Sequence, residues 1–101
     1  MDVLIATFAR IEESTGRKEG ILVLTKEEIS FFVKDKKDLA RERVIPLRAI
    51  KEYKIEEKRQ LLGKKPVLVL EYDADEIAKI VAIETLQVYE IASYLKKKAR
   101  G

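Results

Sequence analysis

Apolar and polar positions fall into short runs separated by charged or turn-forming residues. Residues 3–11 (VLIATFARI) are β-rich and partly alternating and predict a strand. The polar stretch 12–18 (EESTGRK), which contains Gly16, reads as a loop. Residues 20–25 (GILVLT) predict a second strand, Lys26-Glu27-Glu28 a tight turn, and 29–33 (ISFFV) the hairpin partner. Residues 34–41 (KDKKDLAR) carry no useful period and read as a long loop, with or without a short helical turn. A strand over 43–47 (RVIPL) follows, in which Pro46 marks an edge position, a bulge or a strand end. In 51–58, Tyr53 and Ile55 alternate with Glu52, Lys54 and Glu56, the pattern of a half-buried strand. Residues 59–65, with Gly63, form a turn that Pro66 closes before the strongest strand of the chain, 67–72 (VLVLEY). After the turn Asp73-Ala74-Asp75, residues 77–83 (IAKIVAI) suit either helix or strand. Their place after a hairpin turn and their Ile-Val run favour strand.

From Glu84 the period changes. Val88, Ile91, Ala92, Leu95 and Ala99 recur at helical spacing, with Leu86 and Tyr89 beside them. Glu84 near the start and Lys96, Lys97, Lys98 and Arg100 near the end complement a helix dipole, so a helix over 84–98 is expected. The sum is seven strands and one C-terminal helix in a single domain over 1–101. The connections are too short for parallel crossovers, so the strands pair antiparallel. Two packed sheets or a partly closed barrel result, with the Val88/Ile91/Leu95 stripe covering an open end.

Composition narrows the chemistry. The 101 residues include no Cys and no His, which removes the commonest metal ligands and the usual nucleophile–base pairs. Zinc sites, Cys–His dyads and Ser–His–Asp triads are excluded, and no disulfide staples the fold. Lys and Arg number 21 against 18 Asp and Glu, a net charge of +3, which is a small excess for a nucleic-acid binder. Charged residues reach 39%, Asn is absent and Gln occurs twice, a composition like that of hyperthermophile proteins. The apolar run at 3–9 is too short for a signal peptide or a membrane span, so a soluble, cytoplasmic protein is expected.

One stretch carries a family likeness. Gly20 opens GILVLTKEEISFFV, a charged segment follows, and then RVIPLRAIKEYKI up to Ile55. A Gly-x-Leu-x-Leu-Thr strand, tight turn, apolar strand, Ile-Pro-Leu strand end and further hydrophobic strand resemble the pleckstrin-homology (PH) superfold, and within it GRAM and bacterial PH-like domains. The VLVLEY hairpin and the last helix fit the remaining strands and the capping helix, so the likeness spans about residues 3–100. It implies a seven-stranded antiparallel PH-like barrel or sandwich capped by the helix, and a scaffold for binding lipids, peptides or protein surfaces, without catalysis. The terminal helix lacks the Trp that many PH domains carry there. Phosphoinositide-binding members place Lys and Arg along the first hairpin. Here only Arg17 and Lys18 do so, among Glu12, Glu13 and Glu19.

Several residue groups are candidate binding elements. Arg17 and Lys18, with Lys34, Lys36, Lys37, Arg41 and Arg43, form basic loops that the likeness brings to one end of the barrel, where they suit an anionic group. Lys58, Arg59, Lys64 and Lys65 flank Leu61 and Leu62 and are expected at the opposite end, the leucines either dipping into a membrane or partner or tucking under the loop. The acidic turn Glu71, Asp73, Asp75, Glu76 reads as turn chemistry before metal ligation. Adjacent Phe31 and Phe32 must face opposite sides of their strand, so one needs cover from the helix, a dimer interface or a ligand. The expected function is a non-catalytic PH-like module that binds a protein partner, including a second copy of itself, and takes no cofactor. The alternatives are a peripheral module for anionic membranes using the basic loops, and, third, a nucleic-acid-associated accessory protein.

Overall fold

The computed structural model describes residues 2–35 and 38–100, with side chains over 2–33 and 43–98. Its elements are β1 (Val3–Glu13), β2 (Gly16–Thr25), β3 (Glu28–Asp35), β4 (Asp38–Pro46), a 3₁₀ turn (Leu47–Ala49), β5 (Ile50–Gln60), β6 (Gly63–Ala74), β7 (Ile77–Thr85) and α1 (Val88–Arg100). The strands are antiparallel throughout and hydrogen-bonded in the order β4-β3-β2-β1-β7-β6-β5.

Strand β1 is the seam. It pairs with β2 along its whole length but with β7 only from Ala9↔Thr85 to Glu12↔Ala82. The sheet therefore divides there into a four-stranded layer, β1–β4, and a three-stranded layer, β5–β7. Inward residues of both layers share one core: Leu22, Leu24, Ile29, Phe31 and Ile45 from the first, Leu68, Leu70, Val81 and Ile83 from the second. Helix α1 packs against β5, β6 and β7 and closes that core with Val88, Ile91, Ala92 and Leu95, the stripe expected from the sequence. Burying such an aliphatic side chain contributes roughly 1.5–3 kcal/mol, so the terminal helix is part of the core.

The strands run further than the sequence pattern suggests. The stretch 12–18 is no loop: Glu12 pairs with Arg17 and Glu13 with Gly16, leaving only Ser14-Thr15 as the turn. Likewise 59–65 is ladder up to Gln60↔Gly63, with Leu61-Leu62 at the tip, and the 34–41 segment pairs as Lys34↔Leu39 and Asp35↔Asp38. The physical reason is that an outward face tolerates charge, and at the first hairpin opposite charges facing each other across strands support the ladder, whereas at 59–65 the facing cations are offset by the diagonal Lys64–Glu57 pair. Arg10 Nε donates to Glu19 at 2.9 Å, and Arg17 lies 3.4 Å from Glu12. The ambiguous 77–83 segment is strand, extended to Thr85.

Helix α1 starts at Val88, four residues later than the dipole pattern places it. Glu84 and Thr85 instead finish β7 opposite Arg10 and Ala9. Thr85 Oγ1 donates to the Phe8 carbonyl at 2.8 Å and accepts the Gln87 N–H at 3.4 Å, so the turn out of the strand is built before the helix begins. Glu90 is the acid of the first helical turn. Pro46 ends β4, which is an edge strand, as its missing N–H requires.

Candidate functional site

Alternation along the four-stranded layer sends one set of side chains to the core and the other outward. On β1 the outward set is Leu4, Ala6, Phe8, Arg10 and Glu12. Arg10 and Glu12 face Glu19 and Arg17 across the ladder. Below them the face changes character. Phe8 lies opposite Ile21, which lies opposite Phe32, and Ala6 opposite Val23, which lies opposite Ser30 and then Val44. With Leu4 these residues form a stripe with no charged side chain among the described residues; the Ala6 row crosses all four strands, and the Phe8 row meets Arg41 on β4, whose side chain lies outside the described residues. Phe8 is 82% exposed at its centre line, and Leu4 is exposed as well. Of the two adjacent phenylalanines, Phe31 is in the core and Phe32 stands on this outer face, away from the helix.

The basic candidates are distributed differently. Lys36 and Lys37 lie outside the described residues, as do the side chains of Lys34 and Arg41. Arg43 is not a surface-loop cation. It sits on β4 in register with Phe31, half-buried, and its guanidinium donates to Glu13 Oε1 from Nη2 at 2.7 Å and from Nε at 3.1 Å. The carboxylate of Glu13 is itself 10% exposed, so the pair is a charge-assisted clamp across the mouth of the sandwich. Tyr72, 2% exposed, points its hydroxyl into this mouth without a hydrogen-bond partner among the described residues. Burial, with the charge of Glu13 second, raises the Tyr72 phenol above its ordinary value, and Arg43 opposes the shift.

Arg17 and Lys58 were expected at opposite ends, and the structure brings them together. Glu12 Oε2 is 3.4 Å from Arg17 and 3.8 Å from Lys58. Beside it Glu84, 10% exposed, gathers Lys58 at 3.6 Å, Lys65 at 3.7 Å and Arg10 at 3.7 Å. The twist of the long β5–β6 hairpin carries its tip end over the β1–β7 seam, which a reading by chain order alone does not show. Lys64 pairs with Glu57 at 3.4 Å. Arg59 makes no ion pair among the described residues. Leu61 and Leu62 do not tuck under their turn: they are 100% and 99% exposed.

The acidic turn has a backbone explanation. Asp75 and Glu76 both adopt positive φ, 51° and 67°, as a two-residue hairpin turn of the primed type demands. Among the described residues no group of Asp and Glu is arranged to hold a metal ion, and no helix is long and apolar enough to cross a membrane. Sequence reading missed two features. Glu84, assigned there to the helix, is the hub of the cation cluster. The outward Leu4/Ala6/Phe8 series was hidden because 3–11 is apolar on both faces; the period-two positions with Ile21, Val23 and Phe32 carry the signal.

No family model matches the chain, and no curated protein matches it. Solved structures do match. The chain is similar to the Slm1 PH domain, solved in complex with inositol-4-phosphate, with 15% identity, 97% of this chain and 94% of that chain covered, and a TM-score of 0.58. A looser likeness, to SsgB of Streptomyces coelicolor, described with mutations that correlate to longitudinal cell division during sporulation, has 11% identity, covers 93% and 83%, and reaches a TM-score of only 0.41. At these identities the likeness to the Slm1 domain carries the fold alone.

Proposed function

We propose that this PH-like chain is a non-catalytic interaction module whose partner is a protein, and that the first such partner is a second copy of itself. One observation carries the reading: Phe8, 82% exposed, stands in a largely apolar stripe that holds no charged side chain among the described residues and reaches all four strands of one layer through Ala6, Val23, Ser30 and Val44. Three residue pairs along β1 by four strands span roughly 15–20 Å each way, about 300 Å² of flat apolar surface. That is the scale of the apolar centre of a standard interface, which buries about 800 Å² per partner once its polar rim is counted.

A second copy fits this face for two reasons. A twisted sheet packs on an identical sheet at a small angle, as in β-sandwiches, so a two-fold axis makes the stripe its own complement. The rim is also self-complementary, because Arg10/Glu19 and Arg17/Glu12 alternate in sign. A phosphorylated headgroup of the kind in the Slm1 complex fits less well. Such a ligand needs several convergent donors without protein partners. Here Arg43 is held by Glu13 and Arg17 by Glu12.

The test is solution mass by light scattering for the parent and for Phe8→Asp and Val23→Asp. The parent is expected at about twice the chain mass of 11.7 kDa, and each variant at the chain mass with an unchanged circular dichroism spectrum. A parent that stays at the chain mass up to high micromolar concentration contradicts the reading.

A further inference from the structure

The β5–β6 hairpin tip has no explanation in the folding of this chain. The positive φ of this turn, 134°, falls on Gly63, so the backbone admits leucine at the two tip positions but does not call for it, where turn chemistry usually places polar residues. This tip is Leu61-Leu62, and neither side chain gains any core by standing there. Directly behind the leucines the hairpin is cationic. The segment 57–65 contains Lys58, Arg59, Lys64 and Lys65 and a single acid, Glu57. Register places Arg59 beside Lys64 and Lys58 beside Lys65, so the four cations form two rungs. At about 3.4 Å per residue these rungs lie roughly 7–10 Å behind the tip. Arg59 has no ion-pair partner among the described residues; Lys64 pairs with Glu57 at 3.4 Å, Lys58 with Glu84 at 3.6 Å and Glu12 at 3.8 Å, and Lys65 with Glu84 at 3.7 Å, and all three lysine side chains stay well exposed, at 60%, 45% and 39%.

We infer that this hairpin is a membrane-docking wedge: Leu61 and Leu62 enter the apolar edge of a bilayer while Lys58, Arg59, Lys64 and Lys65 meet anionic headgroups. The spacing fits the medium. Apolar groups of peripheral proteins sit about 5–10 Å into the boundary between headgroups and acyl chains, which leaves the two cationic rungs at headgroup level. Flexible Lys and Arg stems allow their charges to stay wet while the tip is immersed. A protein groove is the weaker occupant. Two leucines on a narrow convex tip supply a small part of the roughly 800 Å² per partner that a specific protein interface buries, whereas a bilayer asks for no matching shape. The wedge uses none of the outer-face stripe, so it stands or falls independently of self-association.

The chain has no Trp, so Leu62→Trp in the full chain gives a single reporter at the tip. Its emission is read against vesicles of phosphatidylcholine alone and of phosphatidylcholine with phosphatidylserine. A blue shift is expected with the anionic vesicles and not with the neutral ones, reversed by salt. In the same background, Lys64→Gln with Lys65→Gln is expected to weaken vesicle binding roughly 25-fold, at about fivefold per cation. Leu61→Ser is expected to reduce both binding and the shift. Because the tip is fully exposed, circular dichroism should match the parent in every variant. Unchanged emission with anionic vesicles overturns the inference. So does an equal shift with neutral vesicles, or a shift without vesicles that grows with protein concentration, which would mean that the tip packs on protein.

Discussion

Tyr72 concentrates the residue-scale consequences of this fold. Its ring belongs to the core, and its hydroxyl is buried beside Glu13 and Arg43 without a hydrogen-bond partner among the described residues. A buried hydroxyl left unsatisfied costs about 1–3 kcal/mol, so Tyr72→Phe should raise stability at neutral pH by about 1 kcal/mol. The pH dependence has a definite sign. The folded-state value is raised, so the neutral phenol favours the folded state fully below pH about 10, the unfolded value, and the benefit is lost as pH rises through the raised folded value. The advantage of Tyr72→Phe over the parent should therefore widen above pH 10, as urea denaturation of both proteins from pH 7 to 11 would show. A constant or narrowing difference would mean that the phenol is solvated. Little of this pair was legible beforehand. Arg43 and Glu13 are thirty residues apart and read separately as loop charges. Only the inward register of β4, with Arg43 beside Phe31, turns them into one clamp.

Element type was legible and element length was not. Period-two alternation in 51–58, the β-branched run in 67–72 and the helical spacing from Val88 each report a face that must be buried, and the buried faces match. Hairpin ends carry no such signal. At 12–18 and 59–65 both faces are charged, so the chain reads as loop although the ladder continues, through the facing pair Arg17–Glu12 in the first and past facing cations, with Lys64 paired diagonally to Glu57, in the second. Gly20 is informative in a different way. It opens the motif that carried the family likeness, and the backbones explain why it is glycine: a Cβ there would collide with the Phe32 carbonyl oxygen of β3. Gly20→Ala must push β2 and β3 apart, and should cost about 2–3 kcal/mol in chemical denaturation. A cost below 0.5 kcal/mol would show that the two strands adjust freely.

For the whole molecule, the seam at β1 produces both candidate surfaces. Because β1 feeds both layers, its upper half carries ion pairs with β2 and β7, and its lower half leaves Leu4, Ala6 and Phe8 outward on a face that no other element covers among the described residues. The same seam receives the β5–β6 hairpin just behind its tip, where Lys58 and Lys65 meet Glu12 and Glu84, which sets the direction in which Leu61 and Leu62 project. Sequence could place the leucines in a basic segment, but not this neighbourhood, because it depends on sheet twist and on a pairing about seventy residues apart. The central claim is that the outer face is covered by a second chain. The most direct measurement is relaxation of side-chain methyls by a soluble paramagnetic probe, comparing Leu4, Ile21 and Val23 with the exposed Ile77 and Ile80. At high protein concentration the first set should be shielded and the second relaxed, with the shielding lost on dilution or in Phe8→Asp. If Leu4 and Val23 relax as strongly at high concentration as they do on dilution and in Phe8→Asp, the face is bare in solution and the account is contradicted.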